Sequence, residues 1–127
     1  MVFQIILNYI AGFIIGWILE WGYRSFVAKK HLKSLLINTQ MYALSTVGLY
    51  LIYILQIHLA IKIILILILT TGIEFIIGYT YLITKKAHLW DYRAERFNFK
   101  GIVCLRFSLY WLLLSLIYYY LIIPRLI

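Results

Sequence analysis

Four apolar stretches, each close to 20 residues, divide the chain at Val2 to Tyr23, Asn38 to Ile57, Ile61 to Ile83 and Ile102 to Ile123. A helix of about 20 apolar residues matches a hydrocarbon core about 30 Å thick, because each helical residue rises about 1.5 Å. Folding these segments into a water-soluble domain would need a polar outer face on each, and "IKIILILILTTGI" offers almost none. Composition agrees: 65% of the residues are hydrophobic and 13% charged, against about 25% charged in an ordinary soluble domain. The expectation is an all-α, polytopic membrane protein, with residues 1–127 forming one four-transmembrane-helix bundle.

No Lys or Arg precedes the first stretch, and "YRSFVAKKHLK" follows it in the manner of a stop-transfer segment. It therefore reads as a retained span rather than a signal peptide. Basic residues set the orientation, since Lys and Arg near span ends stay on the cytoplasmic side. Arg24, Lys29, Lys30 and Lys33 lie in the first loop, and Lys85, Lys86, Arg93, Arg96 and Lys100 in the third, with Arg106 just inside the fourth span. Only Lys62 and Arg125 fall on the other side. The two basic loops are expected in the cytoplasm, with both termini and the "QIHLA" hairpin outside.

This topology explains the net charge of +8 without nucleic acid. Loops 24–36 and 84–101 face anionic lipid headgroups, at about 1 kcal/mol of attraction per basic residue. A single cysteine, Cys104, excludes an intrachain disulfide and a multi-cysteine metal site within one chain. His31, His88, Asp91 and Glu95 share the cytoplasmic side but lack paired spacing of the HExxH or CxxC kind, so no metal or other cofactor is expected. The absence of a Gly-rich phosphate loop assigns any use of ATP to a separate polypeptide.

Polar and small residues inside the spans mark the faces that turn inward. Gln4, Asn8, Gly12, Gly16, Glu20 and Arg24 follow one another at steps of four. Such a stripe drifts by about 40° per step and suits a helix crossing its neighbour at an angle. "GFIIG" is also a GxxxG pattern, which permits close backbone approach, so Gly12 and Gly16 read as packing residues. Span two offers Tyr42, Thr46, Tyr50 and Tyr53; span three Thr71, Glu74 and Gly78, the last again for packing; span four Ser108, Trp111, Ser115 and Tyr119. Trp17, Trp21, Trp90 and "YYY" at 118–120 fit interfacial aromatic belts. "FIIG" recurs at 13–16 and 75–78, each time ahead of a Lys pair, which a two-plus-two duplication or chance would equally produce.

Glu74 lies eleven residues before Lys85 and so deep in its span. An ionisable group at that depth costs about 2.5–3.5 kcal/mol on insertion scales and is by default a functional candidate. Glu20 can pair with Arg24 one turn on. Glu74 has no basic residue within a turn, which makes Arg106 its expected cation across helices. The pair either locks the bundle or forms a substrate, proton or headgroup site. In the third loop, Asp91 between Trp90 and Tyr92 could orient basic residues around an anion or cap a short helix, or the loop is simply solvated.

"GWILEWGYRS" at 16–25, "IEFIIG" at 73–78 and "LWDYRAERFNFKGIVCLRFSLYW" at 89–111 resemble the CmpB-like type IV ABC-transporter permease family of small bacterial membrane proteins. Trp90, Asp91, Tyr92, Phe97, Asn98, Gly101, Cys104, Leu105, Phe107, Ser108 and Trp111 follow its signature in order, with Pro124 after them. Glu20 and Glu74 match its two intramembrane glutamates. The chain departs from the pattern at 38–48, where "NTQMYALSTVG" replaces a Gly/Pro-containing entry. The resemblance implies a permease or transporter subunit of the bacterial inner membrane. Since the interior of one four-helix bundle is filled by side chains, it also implies a homo-oligomer or larger membrane complex, with a separate ATPase as a candidate partner. The candidate substrate or coupling residues are Glu20, Glu74, Arg106, Arg24, Asp91, Trp90, Tyr92, Asn98 and Ser108. Two alternatives compete with transport. One is a membrane enzyme acting on lipid headgroups or isoprenoid-like substrates, with the carboxylates as acid and base and Arg24 and Arg106 holding phosphate. The other is an accessory or assembly subunit.

Overall fold

Backbone amides in an apolar stretch can be satisfied only within the segment, which is why these runs fold as helices. The computed structural model describes residues 1–22 and 35–127. Helix α1 spans Val2–Gly22, α2 Leu35–Tyr53 and α3 Leu59–Lys85. A short antiparallel hairpin follows, with β1 at Asn98–Phe99 and β2 at Val103–Cys104. Then α4 (Leu105–Ile117) continues through a π-helical turn (Tyr118–Ile122) into α5 (Ile123–Leu126). The π turn lies just ahead of Pro124, whose missing N–H and bulky ring disrupt regular α-helical bonding; there the Ile123 N–H bonds to the Tyr118 carbonyl.

Among the described residues, three helices are long and apolar enough to cross a membrane: α1, α3 and the continuous helix from Leu105 to Leu126. The second expected span is shorter, 19 residues, and carries Asn38, Thr39, Gln40, Ser45 and Thr46. All of these but Gln40 are buried. Span three starts earlier than expected, at Leu59, where the His58 imidazole accepts the Ala60 N–H at 3.1 Å and caps the helix. Span four starts later, at Leu105, because the hairpin takes up the residues before it.

Helix α2 packs against both α1 and α3, and α3 against α4. Two glycines set the α1–α2 distance. A Cβ on Gly12 would collide with Thr46 Oγ1 and come within 2.8 Å of the Tyr42 carbonyl, and one on Gly16 within 2.5 Å of Tyr42 Cβ. Close approach places Asn8, 0% exposed, at the centre of a polar knot. Its amide nitrogen donates to the Gln4 carbonyl (2.7 Å), its Oδ1 accepts from the Tyr118 hydroxyl (2.7 Å), and its carbonyl accepts from Thr46 (2.7 Å). Nearby lies an apolar core of Leu49, Tyr50, Ile52, Ile66, Tyr119 and Ile123. Tyr118 and Tyr119 are thus interior rather than belt residues, and of the three only Tyr120 is exposed. Lys62 closes that end of the molecule, donating to the Tyr119 hydroxyl (2.8 Å) and the Tyr53 carbonyl (3.1 Å). Outward faces are aliphatic: Leu105, Leu109, Leu113, Ile117 and Leu121 form an exposed row along α4 and the π turn, as lipid contact requires.

Candidate functional site

Glu74 lies on the buried stripe of α3, with Thr70 one turn before it and Gly78 one turn after. The residue is 2% exposed. Its Oε2 accepts the Trp111 indole N–H at 2.5 Å. Its Oε1 is buried and has no hydrogen-bond partner among the described residues. Trp111 reaches Glu74 from α4 because side chains lean toward the N-terminal end of their helix. One turn away, the Thr71 hydroxyl donates to Ser108 Oγ at 3.1 Å and fixes the α3–α4 register.

A second carboxylate is tied to the same aromatic pair. The Tyr42 ring packs on Trp111 with centroids 4.8 Å apart, and its hydroxyl donates to Glu20 Oε1 at 3.2 Å. Glu20 and Glu74, from α1 and α3, therefore each hold the polar end of one ring. The rings themselves form part of a groove between α1, α2 and α4.

Beyond these helices the third loop folds back over α3. The absence of a side chain at Gly78 makes room: a Cβ there would lie 2.6 Å from Ile102 and 2.9 Å from the Trp90 ring. Trp90 is locked by its indole N–H donating to the Ile102 carbonyl at 2.6 Å. The Tyr92 N–H donates to the Gly101 carbonyl (2.9 Å), and the Tyr92 ring stacks on Phe107 at 4.7 Å. Its phenol approaches the Glu74 carboxylate. Burial first, and that charge second, push the phenol well above its ordinary range.

The rest of the loop signature builds the loop. Asn98 donates to the Glu95 carbonyl (2.8 Å) and accepts the Gly101 N–H (3.0 Å). Gly101 has φ +68°, and a Cβ on it would strike Arg93 at 2.6 Å, so the turn favours glycine on two counts. Asp91 is exposed, accepts the Arg93 backbone N–H at 2.9 Å and forms a bidentate pair with its guanidinium. Hydrogen bonds from Arg93 hold the Asp91 carboxyl down at about 2.

The structure corrects the expected Glu74–Arg106 pair. Arg106 is exposed, pairs with Glu95 at 3.5 Å and lies over the Phe107 and Tyr110 rings. The fourth helix faces Glu74 with Trp111, a neutral donor, instead. Arg24 lies outside the described residues. Glu20, Glu74, Trp90 and Tyr92 are grouped with Tyr42 and Trp111; Asp91 and Asn98 belong to the loop framework, and Ser108 to the helix contact. Tyr42 and Trp111 were legible as members of inward stripes, but nothing in the sequence linked either ring to a carboxylate.

Residues 7–127 match the model of a family described as "Putative ABC-transporter type IV". No curated protein and no solved structure matches the chain.

Proposed function

The chain belongs to that ABC-transporter family, and on this premise we propose that it is the membrane-embedded permease subunit of a larger transporter, with Glu74 as its substrate-contacting or coupling carboxylate. One observation carries the reading. Among the described residues Glu74 keeps a buried acceptor oxygen with no donor at hydrogen-bonding distance, the Tyr92 phenol lying beside the carboxylate, and a buried unsatisfied polar group costs about 1–3 kcal/mol. A carboxylate kept only to lock helices gains nothing from an open oxygen, whereas one that meets a ligand or a proton requires it.

In this reading the chain crosses the membrane four times, with α2 as the inner span whose polar face is shielded by α1 and α3. Loops one and three face the cytoplasm and anionic headgroups, and both termini face outward. Glu20, Tyr42 and Trp111 support the site from within the helices, and Trp90 and Tyr92 cover its cytoplasmic end. Because the described interior is filled by side chains, a transport path needs further copies of the chain or a larger partner, with an ATPase docking on the third loop.

Native mass spectrometry of the protein extracted from its own membrane in mild detergent tests this proposal. The expected species is a multiple of 15.1 kDa or a complex with a heavier subunit. A stable, partner-free monomer would overturn it. Glu74→Gln is expected to keep the assembly and lose any small molecule that the wild type retains.

A further inference from the structure

The groove beside the Glu74 site has a volume of about 110 Å³, on the scale of the roughly 150 Å³ cavities that hold a benzene ring. Its walls are apolar apart from Ser45, Thr46, Ser115 and the polar ends of Tyr42, Trp111 and Tyr118, and among the described residues no charged side chain lines it. Leu19, Leu114 and Ile117 line it and are each about two-fifths exposed (41%, 40% and 44%), so in a bilayer its mouth opens to lipid. Shape alone would admit any hydrocarbon.

Charge narrows the choice. Two of the three aromatic rings that line the groove, Tyr42 and Trp111, donate their polar hydrogens to carboxylates, Glu20 and Glu74 respectively, while the third, Tyr118, donates to the Asn8 amide. An aromatic N–H or O–H bonded to a carboxylate is polarised, most strongly when the carboxylate is ionised, which deepens the negative potential of the ring faces; a cation held at those faces in turn favours the ionised form. Among the described residues, no cation of the chain answers Glu74: Lys62 is held by Tyr53 and Tyr119 at the other end, and Arg106 is paired with Glu95. Cations are attracted to such ring faces, more strongly where water is excluded. An anion would be repelled, and a neutral hydrocarbon would gain nothing from the carboxylates.

Resting on the reading of Glu74 as a ligand carboxylate, we propose that this groove binds a small lipophilic organic cation, which enters from the lipid and lies over the Tyr42 and Trp111 rings. The apolar part of the ligand fills the space between α1 and α4, and its cationic centre sits against the rings, one ring width from the glutamates.

The test is equilibrium binding of isotope-labelled benzyltrimethylammonium to the full chain in lipid nanodiscs, with empty nanodiscs as background. Its neutral isostere, neopentylbenzene, serves as competitor. Saturable binding that equimolar neopentylbenzene fails to displace, and that weakens at least tenfold in Glu74→Gln and in Trp111→Leu, is the expected result. Equal competition by the isostere would show an apolar groove with no preference for charge, and absence of saturable binding would show no site; either overturns the proposal. The comparison of charged and neutral probes uses the wild type alone, so it stands even where a variant fails to fold. Copy number and partners are read separately by mass spectrometry, so the cation assignment can fail while the transporter reading survives, and the reverse.

Discussion

Gly12→Ala and Gly72→Ala are the same chemical change in two membrane helices, and the structure predicts different outcomes. A Cβ at position 12 would lie 2.8 Å from the Tyr42 carbonyl oxygen and 2.9 Å from Ala43 Cα, where carbon atoms in optimal contact sit about 3.5–4.0 Å apart. Helices α1 and α2 would have to separate by about 1 Å, because the obstacle is backbone and cannot rotate away. A Cβ at position 72 meets nothing within 4 Å. Both variants gain the same relief of glycine's backbone entropy, about 0.5–1 kcal/mol, so that contribution cancels in the comparison. What remains is overpacking, typically about 1–3 kcal/mol, and Gly12→Ala should be less stable than Gly72→Ala by that amount. Reversible unfolding in mixed detergent and SDS micelles measures the difference. Equal stabilities would mean that α1 and α2 do not touch at Gly12 and would remove the basis for placing Asn8, Thr46 and Tyr42 where they are.

Other expectations follow from single contacts. Tyr118→Phe removes the donor to Asn8 Oδ1 and should cost about 1 kcal/mol in the same assay; an unchanged midpoint would place the Asn8 amide elsewhere. Asp91 is held at about 2 against an ordinary 3.8, so its contribution to loop stability is fully present above about pH 4 and is lost as pH falls through about 2. Carboxyl carbon NMR should find its midpoint near that low value in the wild type and near the ordinary one in Arg93→Gln; coincident midpoints would refute the pairing. Arg106→Gln breaks an exposed pair with Glu95 and removes the charge over the Phe107 and Tyr110 rings, and should change stability by no more than about 1–2 kcal/mol, leaving the Trp111 indole N–H resonance in place. A large shift of that resonance would revive Arg106 as a partner of Glu74.

Position along a helix was legible because it depends only on distance along the helix axis. Counting from Lys85 put Glu74 well inside α3, where it is buried, and the four-residue stripe of α1 pointed at the face that Gly12 and Gly16 press against α2. Azimuth across helices was not legible. Arg106 stands next to Leu105, the first residue of the lipid-facing row on the fourth helix, and is itself exposed, so its charge is directed away from α3. Apolarity also misled at the ends of the helices: the stretch from Ile102 reads as span, yet Val103 and Cys104 pair with the Asn98–Phe99 strand. The expected aromatic belt fails at Tyr118 and Tyr119 for a related reason, since tyrosine suits an interface and an interior equally when a buried acceptor such as Asn8 awaits its hydroxyl.

The loop signature shows how a specific motif can encode geometry rather than chemistry. Asn98, Gly101 and Asp91 have their hydrogen bonds or backbone conformation committed to the loop itself, and Trp90 is committed to its wedge against Gly78. What this framework leaves in place is the Tyr92 phenol, near the buried Glu74 carboxylate, whose Oε1 has no donor among the described residues. Residues most conspicuous in the sequence therefore act at one remove, by fixing the cover over Glu74. The Tyr42 and Trp111 rings and the carboxylates they bond, which form the proposed ligand site, are scattered singly over four helices and meet only when those helices pack.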